Sequence, residues 1–267
     1  MAVYNKKTLK KQNINIEILT SNNRPKSLDL IYTGTAKNFI NALCMEALNH
    51  EAVNHEYLKL LSTGNVKNKK NILRDYAYQY GHYSDGFTTY LKNVVDRLTV
   101  DKHKKILMEN FNEEFGNPNS EKFEDWPHNK MFAAFAEEVG INDDFIKNNP
   151  LCLTAKVWRE LFDQKCKSEI PGVGIGAIGI ATEFIVPHIY SCIVPTIKKE
   201  TSLSSRCAYF FELHSECDVE HGNEIIECAI ELAENEETRE GIRFGVISAL
   251  NLRKAFWDVM YSRSKML

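Results

Sequence analysis

Phe210-Phe211-Glu212-Leu213-His214-Ser215-Glu216-Cys217-Asp218-Val219-Glu220-His221 is the stretch on which the reading of this chain turns. Taken as a helix, it puts His214, Asp218 and His221 on one face. At about 100° per residue, steps of four and three leave the three side chains within roughly 60° of one another. Two imidazoles and a carboxylate on one stripe suit a first-row divalent metal such as iron. The competing reading is an exposed helix face with two incidental histidines. Phe210, Phe211 and Leu213 argue that part of the helix is packed, and a buried His or Asp needs a partner. On this stretch alone both readings stand.

The 267 residues are enough for one large domain or two small ones. Hydrophobic residues make up 43% and charged residues 26%, the balance of a water-soluble globular protein. A net charge of -3 argues against a dominant phosphate-binding surface, so nucleic acid is not an expected partner. No uninterrupted apolar run reaches the roughly 18 residues of a membrane span, and no membrane association is expected. Met1 to Gln12 is Lys-rich, but no apolar segment follows it, so it does not read as a secretory signal. The seven cysteines are odd in number and form no CxxC, which indicates neither a disulfide framework nor a zinc ribbon. A reducing, cytoplasmic location is expected. Cys217 points away from Asp218 and reads as a core thiol.

Residues 1 to about 35 are polar and weakly periodic, and are expected to form a loosely attached N-terminal arm. Residues 36–267 read as a single helical domain. Phe39, Ile40, Leu43, Ala47 and Leu48 open a helical pattern that continues to Gly64. His50 and His55 fall on different faces there and read as surface or capping residues. A second helix spans about Val66 to Val100. It carries Asp75 and His82, which lie seven residues apart and so share a stripe. A surface acid and a histidine satisfied among tyrosines would look the same. Further helices are expected at Asp101–Phe115, Lys130–Val139, Leu153–Lys165, Ser202–Ala233 and Glu236–Met260. With no alternating strand pattern, the chain reads as an all-α bundle of about seven helices.

Gly174-Ile175-Gly176-Ala177-Ile178-Gly179 matches GxGxxG, but no strand precedes it as a dinucleotide site requires. The better reading is a glycine-lined helix that lets another backbone come close. It continues to Glu183, a lone acid in an apolar run that needs a partner if buried. Pro187 is expected to kink the helix one turn later. Asp75, His82, Glu183, His214, Asp218 and His221 together offer three imidazoles and three carboxylates, a set suited to a dinuclear iron or manganese site. No paired Glu-x-x-His of a ferritin-like bundle is present at these positions.

Tyr78-Gln79-Tyr80-Gly81-His82, Glu183-Phe184-Ile185-Val186-Pro187 and the His214–His221 stretch resemble the haem-oxygenase-like diiron oxidases and oxygenases. That superfamily shares its seven-helix fold with thiaminase II-like and pyrroloquinoline-quinone-synthase-like proteins. Asn110, Glu113-Glu114-Phe115-Gly116 and His128 resemble the family's structural segment between ligand helices. The pattern is similar to the CADD-like, para-aminobenzoate-forming branch. The resemblance implies one iron on Asp75, His82 and His214, and another on Asp218 and His221 with Glu183 bridging or near it. Asp75 stands where the family has Glu, and Asp85 is a substitute for it. The implied cofactors are two Fe(II) ions, with Mn admissible in one position. The implied partners are dioxygen and a small amine, amino acid or fatty acid, or a tyrosine of the chain itself; a homodimer is compatible. Two other classes remain: a metal-free enzyme of the thiaminase II or quinone-synthase kind, and a non-enzymatic host-interaction protein of the same fold.

Overall fold

Apolar residues recurring every three or four positions give most of this chain one buried stripe per helix. The computed structural model describes residues 34–267, with residues 216–220 described by their backbone alone. The expected N-terminal arm thus falls almost wholly outside the described residues. Those residues are all-helical, with 76% helix and no strand, and they contain 11 helices where about seven were expected. In chain order these are α1 Ala36–Asn49, α2 Glu56–Ser62, α3 Lys69–Ser84, α4 Phe87–Arg97, α5 Asp101–Phe115 and α6 His128–Glu138. They continue with α7 Asp143–Asn148, α8 Leu153–Cys166, α9 Val186–Lys198, α10 Tyr209–Leu232 and α11 Glu236–Ser264. Between α8 and α9 a short α-turn, Val173–Ile175, runs into a π-helix, Gly176–Glu183.

The larger count comes from breaks inside runs that read as continuous. The first run breaks where His50 Nδ1 accepts from the Ala52 amide and His55 caps α2 by accepting from the Tyr57 amide, both at 3.1 Å. The second breaks at Asp85-Gly86. There Tyr90 Oη donates to the Tyr83 carbonyl at 3.1 Å and fills the space a side chain at 86 would need. Helix α7 has no buried residue and so leaves no periodic signal.

The π-helix is the centre of the molecule, with every residue from Gly176 to Glu183 buried. Glycine lets it lie against α11. A Cβ on Gly176 would strike the Ile242 carbonyl, and one on Gly245 would strike the Val173 carbonyl. Backbone atoms cannot swing aside, so GxGxxG here is a packing device, as its lack of a preceding strand implies. The run Val173–Lys198 is apolar and long enough to cross a membrane by composition, but 67% of its most apolar window is buried inside the molecule. Around it one hydrophobic core extends from Ala36 to Met260. Within the core, Tyr83 stacks on Trp158 at 3.9 Å, and the buried Arg253 guanidinium lies 5.1 Å from the Trp158 ring.

Replacing Gly176 or Gly245 with alanine is expected to lower stability by about 1–3 kcal/mol through overpacking. A urea midpoint unchanged from that of the parent protein would contradict this close approach.

Candidate metal centre

Helix α5 stops at Gly116, whose φ of 49° favours glycine. A Cβ there would lie 2.7 Å from the Trp126 carbonyl oxygen. The Asn117 amide donates to the Asp125 carbonyl at 2.7 Å, and the Trp126 indole donates to the Ser120 carbonyl at 2.9 Å. These contacts fold residues 116–127 back on themselves, and α6 begins with His128 alongside the end of α5.

Glu114, the next-to-last residue of α5, therefore meets two imidazoles. Its Oε1 lies 3.1 Å from His128 Nδ1 and 3.5 Å from His214 Nε2. One donor atom from each of the three residues falls within 4.8 Å of the others. Glu114 and His214 are buried, and the His128 side chain is only 12% exposed. His214 Nδ1 donates to the Phe210 carbonyl one turn back at 2.6 Å. That bond fixes the tautomer and leaves the Nε2 lone pair facing Glu114. Glu183 ends the π-helix and lines the same cavity, its Oε1 accepting from Asn110 Nδ2 at 3.2 Å. The cavity has a volume of about 40 Å³.

Burial and charge act against each other here. Burial pushes the Glu114 carboxyl up, but the contacts with His128 and His214 outweigh it and hold the group well below the ordinary carboxylate range. Burial pushes His214 down, and Glu114 only partly offsets it. For His128 burial also acts downward, but the Glu114 charge prevails and raises it. Glu183 rises from its ordinary 4.5 to about 8, first through burial and then through the Glu114 charge, with Asn110 opposing.

The expected site residues do not all converge. Glu183 and His214 both line the cavity. His221, two turns further along α10, is 7% exposed, its Nε2 2.8 Å from Glu113 Oε2 and its buried Nδ1 without a partner among the described residues. The side chain of Asp218 lies outside the described residues, as does that of Cys217. Asp75 and His82 are not brought to this cluster. Asp75 is held bidentately by Arg263, at 2.8 Å from Nε and 2.6 Å from Nη2. His82 lies half-buried against Arg159, which donates to the His82 carbonyl at 2.9 Å. The acid and imidazole that face His214 are instead Glu114 and His128, which read as structural in the sequence. The loop between them breaks helical spacing, so no periodicity links the two. The adjacent acids Glu113-Glu114 at a glycine-stopped helix end were the available signal. Asp85 lines the cavity but does not join the close group. Of the tyrosines, Tyr80 and Tyr190 share a hydroxyl hydrogen bond of 2.9 Å, whereas the Tyr76 hydroxyl has no partner among the described residues.

Residues 74–254 match the family described as iron-containing redox enzymes. The chain belongs to that family. A 4-aminobenzoate synthase from Chlamydia pneumoniae is 25% identical over 188 residues, covering 70% of this chain and 79% of that protein. A CADD-like protein of unknown function from Nostoc punctiforme superposes with a TM-score of 0.68 at 14% identity, covering 86% of this chain and 99% of the other. A TenA homologue from Pseudomonas syringae also gives 0.68, at 13% identity over 91% of this chain and 99% of that one. A domain with a heme oxygenase-like fold from Shewanella denitrificans gives 0.61, at 14% identity over 86% and 92% of the two chains. The structural likenesses show a haem-oxygenase-like fold for this member of the iron-containing redox enzyme family.

Two outcomes are expected. In the metal-free protein Glu183 keeps its proton to about pH 8, whereas the unfolded chain loses it near 4.5. The native state thus binds more protons across that window, and stability falls as pH rises through it. Glu183→Gln should flatten this decline in denaturation midpoints measured across the window. Asp75→Asn should lower stability by about 1–3 kcal/mol by leaving Arg263 without its acid, with iron content by elemental analysis unchanged.

Proposed function

We propose that this chain is a non-haem, dioxygen-dependent oxidase or oxygenase that uses two iron ions on a small organic substrate. One observation carries the metal: His214 turns the lone pair of Nε2 toward the Glu114 carboxylate, 3.5 Å away. Two acceptors facing each other in a buried site call for a proton or a cation between them, and His128 completes a three-residue set that could hold a metal ion. The donor set, one carboxylate and two imidazoles with a second buried carboxylate beside them, suits iron. Glu114, His128 and His214 would hold one ion. Glu183 would serve the second, with His221 and Asp218 from the stripe on α10.

Bound there, iron supplies the reduction of dioxygen and the oxidising power for the substrate. The protein's own work is positional. The Phe210 carbonyl keeps His214 in its ligating tautomer, and Asn110 orients Glu183. Phe132, Val186 and Phe210 line the cavity and limit water. In the metal-free state Glu183 holds the proton that a cation displaces. The relative from Chlamydia pneumoniae is named for a product with an amine and a carboxylate, which supports a small amine, an amino acid or a tyrosine of the chain as substrate over a fatty acid. The likeness to a TenA homologue is one of fold and does not favour the metal-free reading over the Glu114 cluster.

Anaerobic loading with Fe(II) is expected to give about two irons per chain, and mixing with oxygenated buffer a transient visible absorbance. His214→Ala and Glu114→Gln should each remove at least one iron. Asn110→Ala should weaken iron binding about 10–100-fold through the loss of an outer partner. Full iron content in both ligand variants would overturn the assignment.

A further inference from the structure

We infer that Tyr190 presents a fixed hydroxyl donor to a small anionic ligand in the cavity beside Glu114, and that the buried Arg253 sets the direction of that donor through Tyr80. The donor stands on the hydroxyl geometry, and its use in the reaction rests on the reading proposed above.

Arg253, on α11, is a cation that the site leaves unused. It is 1% exposed, and none of its three nitrogens has a hydrogen-bond partner among the described residues. Its guanidinium carbon lies 5.6 Å from the centre of the Tyr83 ring and 5.1 Å from that of Trp158. Ring faces offset only part of the cost of burying a charge. The charge is felt first by the phenols of Tyr83 and Tyr80, and after them by that of Tyr190.

Tyr80 and Tyr190 share one hydrogen bond of 2.9 Å between their hydroxyls. Two hydroxyls bring two protons, and a single bond uses one of them. The distance leaves the donor open, and Arg253 decides it. A guanidinium has no lone pair to offer, so a hydroxyl beside it turns its oxygen toward the charge and its proton away. Of the two phenols Tyr80 feels that charge more strongly, so its proton points to the Tyr190 oxygen. The reverse order would aim the Tyr80 proton at a cation. The Tyr190 proton is therefore left over, and no acceptor for it is found among the described residues.

Both tyrosines line the cavity that holds Glu114, His128 and His214. The Tyr190 ring stands edge-on, 5.7 Å from the His214 ring, and packs against Phe210 at 5.6 Å and Phe211 at 5.2 Å. A cavity of about 40 Å³ exceeds the roughly 10–15 Å³ that one water-sized group requires, so a ligand of two or three atoms fits. A donor with a cation behind it favours an acceptor that carries negative charge, because such bonds are roughly twice as strong as neutral ones.

The probe is azide, a linear three-atom monoanion whose stretching vibration responds to hydrogen bonding. It would be titrated calorimetrically into the full chain, metal-free and loaded anaerobically with Fe(II), and the bound form followed by infrared absorption. Tyr190→Phe is expected to weaken azide about tenfold, the size of one charge-assisted hydrogen bond, and to shift its stretch. Arg253→Met should reproduce both changes, and Arg253→Lys, which keeps the charge, should return the parent spectrum. Tyr80→Phe should give a smaller loss and keeps the relay testable where Arg253→Met fails to fold. Circular dichroism would confirm folding, and iron would be counted in every variant. No azide binding by either form, or equal affinity and stretch in the parent and Tyr190→Phe, would overturn the inference. So would a loss in Tyr83→Phe without one in Tyr190→Phe, since the Tyr83 hydroxyl lines the same cavity without a partner among the described residues. A Tyr190-dependent azide site in a protein that takes up no iron would sink the iron reading and leave the donor standing. Full iron with azide indifferent to Tyr190 would do the reverse.

Discussion

The backbone contact between the π-helix and the last helix is the constraint on which the rest of the molecule depends. Gly176 lies against the Ile242 carbonyl, and Gly245 against the Val173 carbonyl. Side chains larger than hydrogen at these points would push the two elements apart. The close approach buries the whole of Gly176–Glu183. It thereby delivers a carboxylate to the centre of an apolar bundle, where water cannot solvate it. The wider hydrogen-bond register of a π-helix is consistent with that role, since such segments are rare outside functional sites.

Three buried carboxylates show how the partner, more than the burial, decides what an acid does. Asp75 is matched by a guanidinium in a bidentate pair that neutralises its charge away from the Glu114 cluster. Glu114 is matched by two imidazoles, whose lone pairs and protons are exchangeable with a cation. Glu183 is matched only by an amide and meets the neighbouring Glu114 charge, so it keeps its proton to about pH 8. An Arg partner closes a site, whereas imidazole and amide partners keep one open. The same distinction separates His221, held by the half-exposed Glu113, from His214, whose second nitrogen is fixed by a carbonyl.

The sequence by itself determined the all-helical class, both ends of α5 and the start of α11, the packing role of GxGxxG and the isolation of Glu183. Each is a local property, set by apolar spacing, glycine position or the absence of a preceding strand. It also placed His214 and His221 on one helix. What it left open was which residues face which across the bundle. Asp75 and His82 share a stripe, yet Asp75 meets Arg263, 188 residues away. Glu114 and His128 share no helical spacing and meet only because residues 116–127 turn back at a left-handed glycine. Helical periodicity specifies the face a side chain occupies. The neighbour on the far side of that face is chosen by tertiary packing, through loop closure and the matching of buried charges, and no local pattern records it.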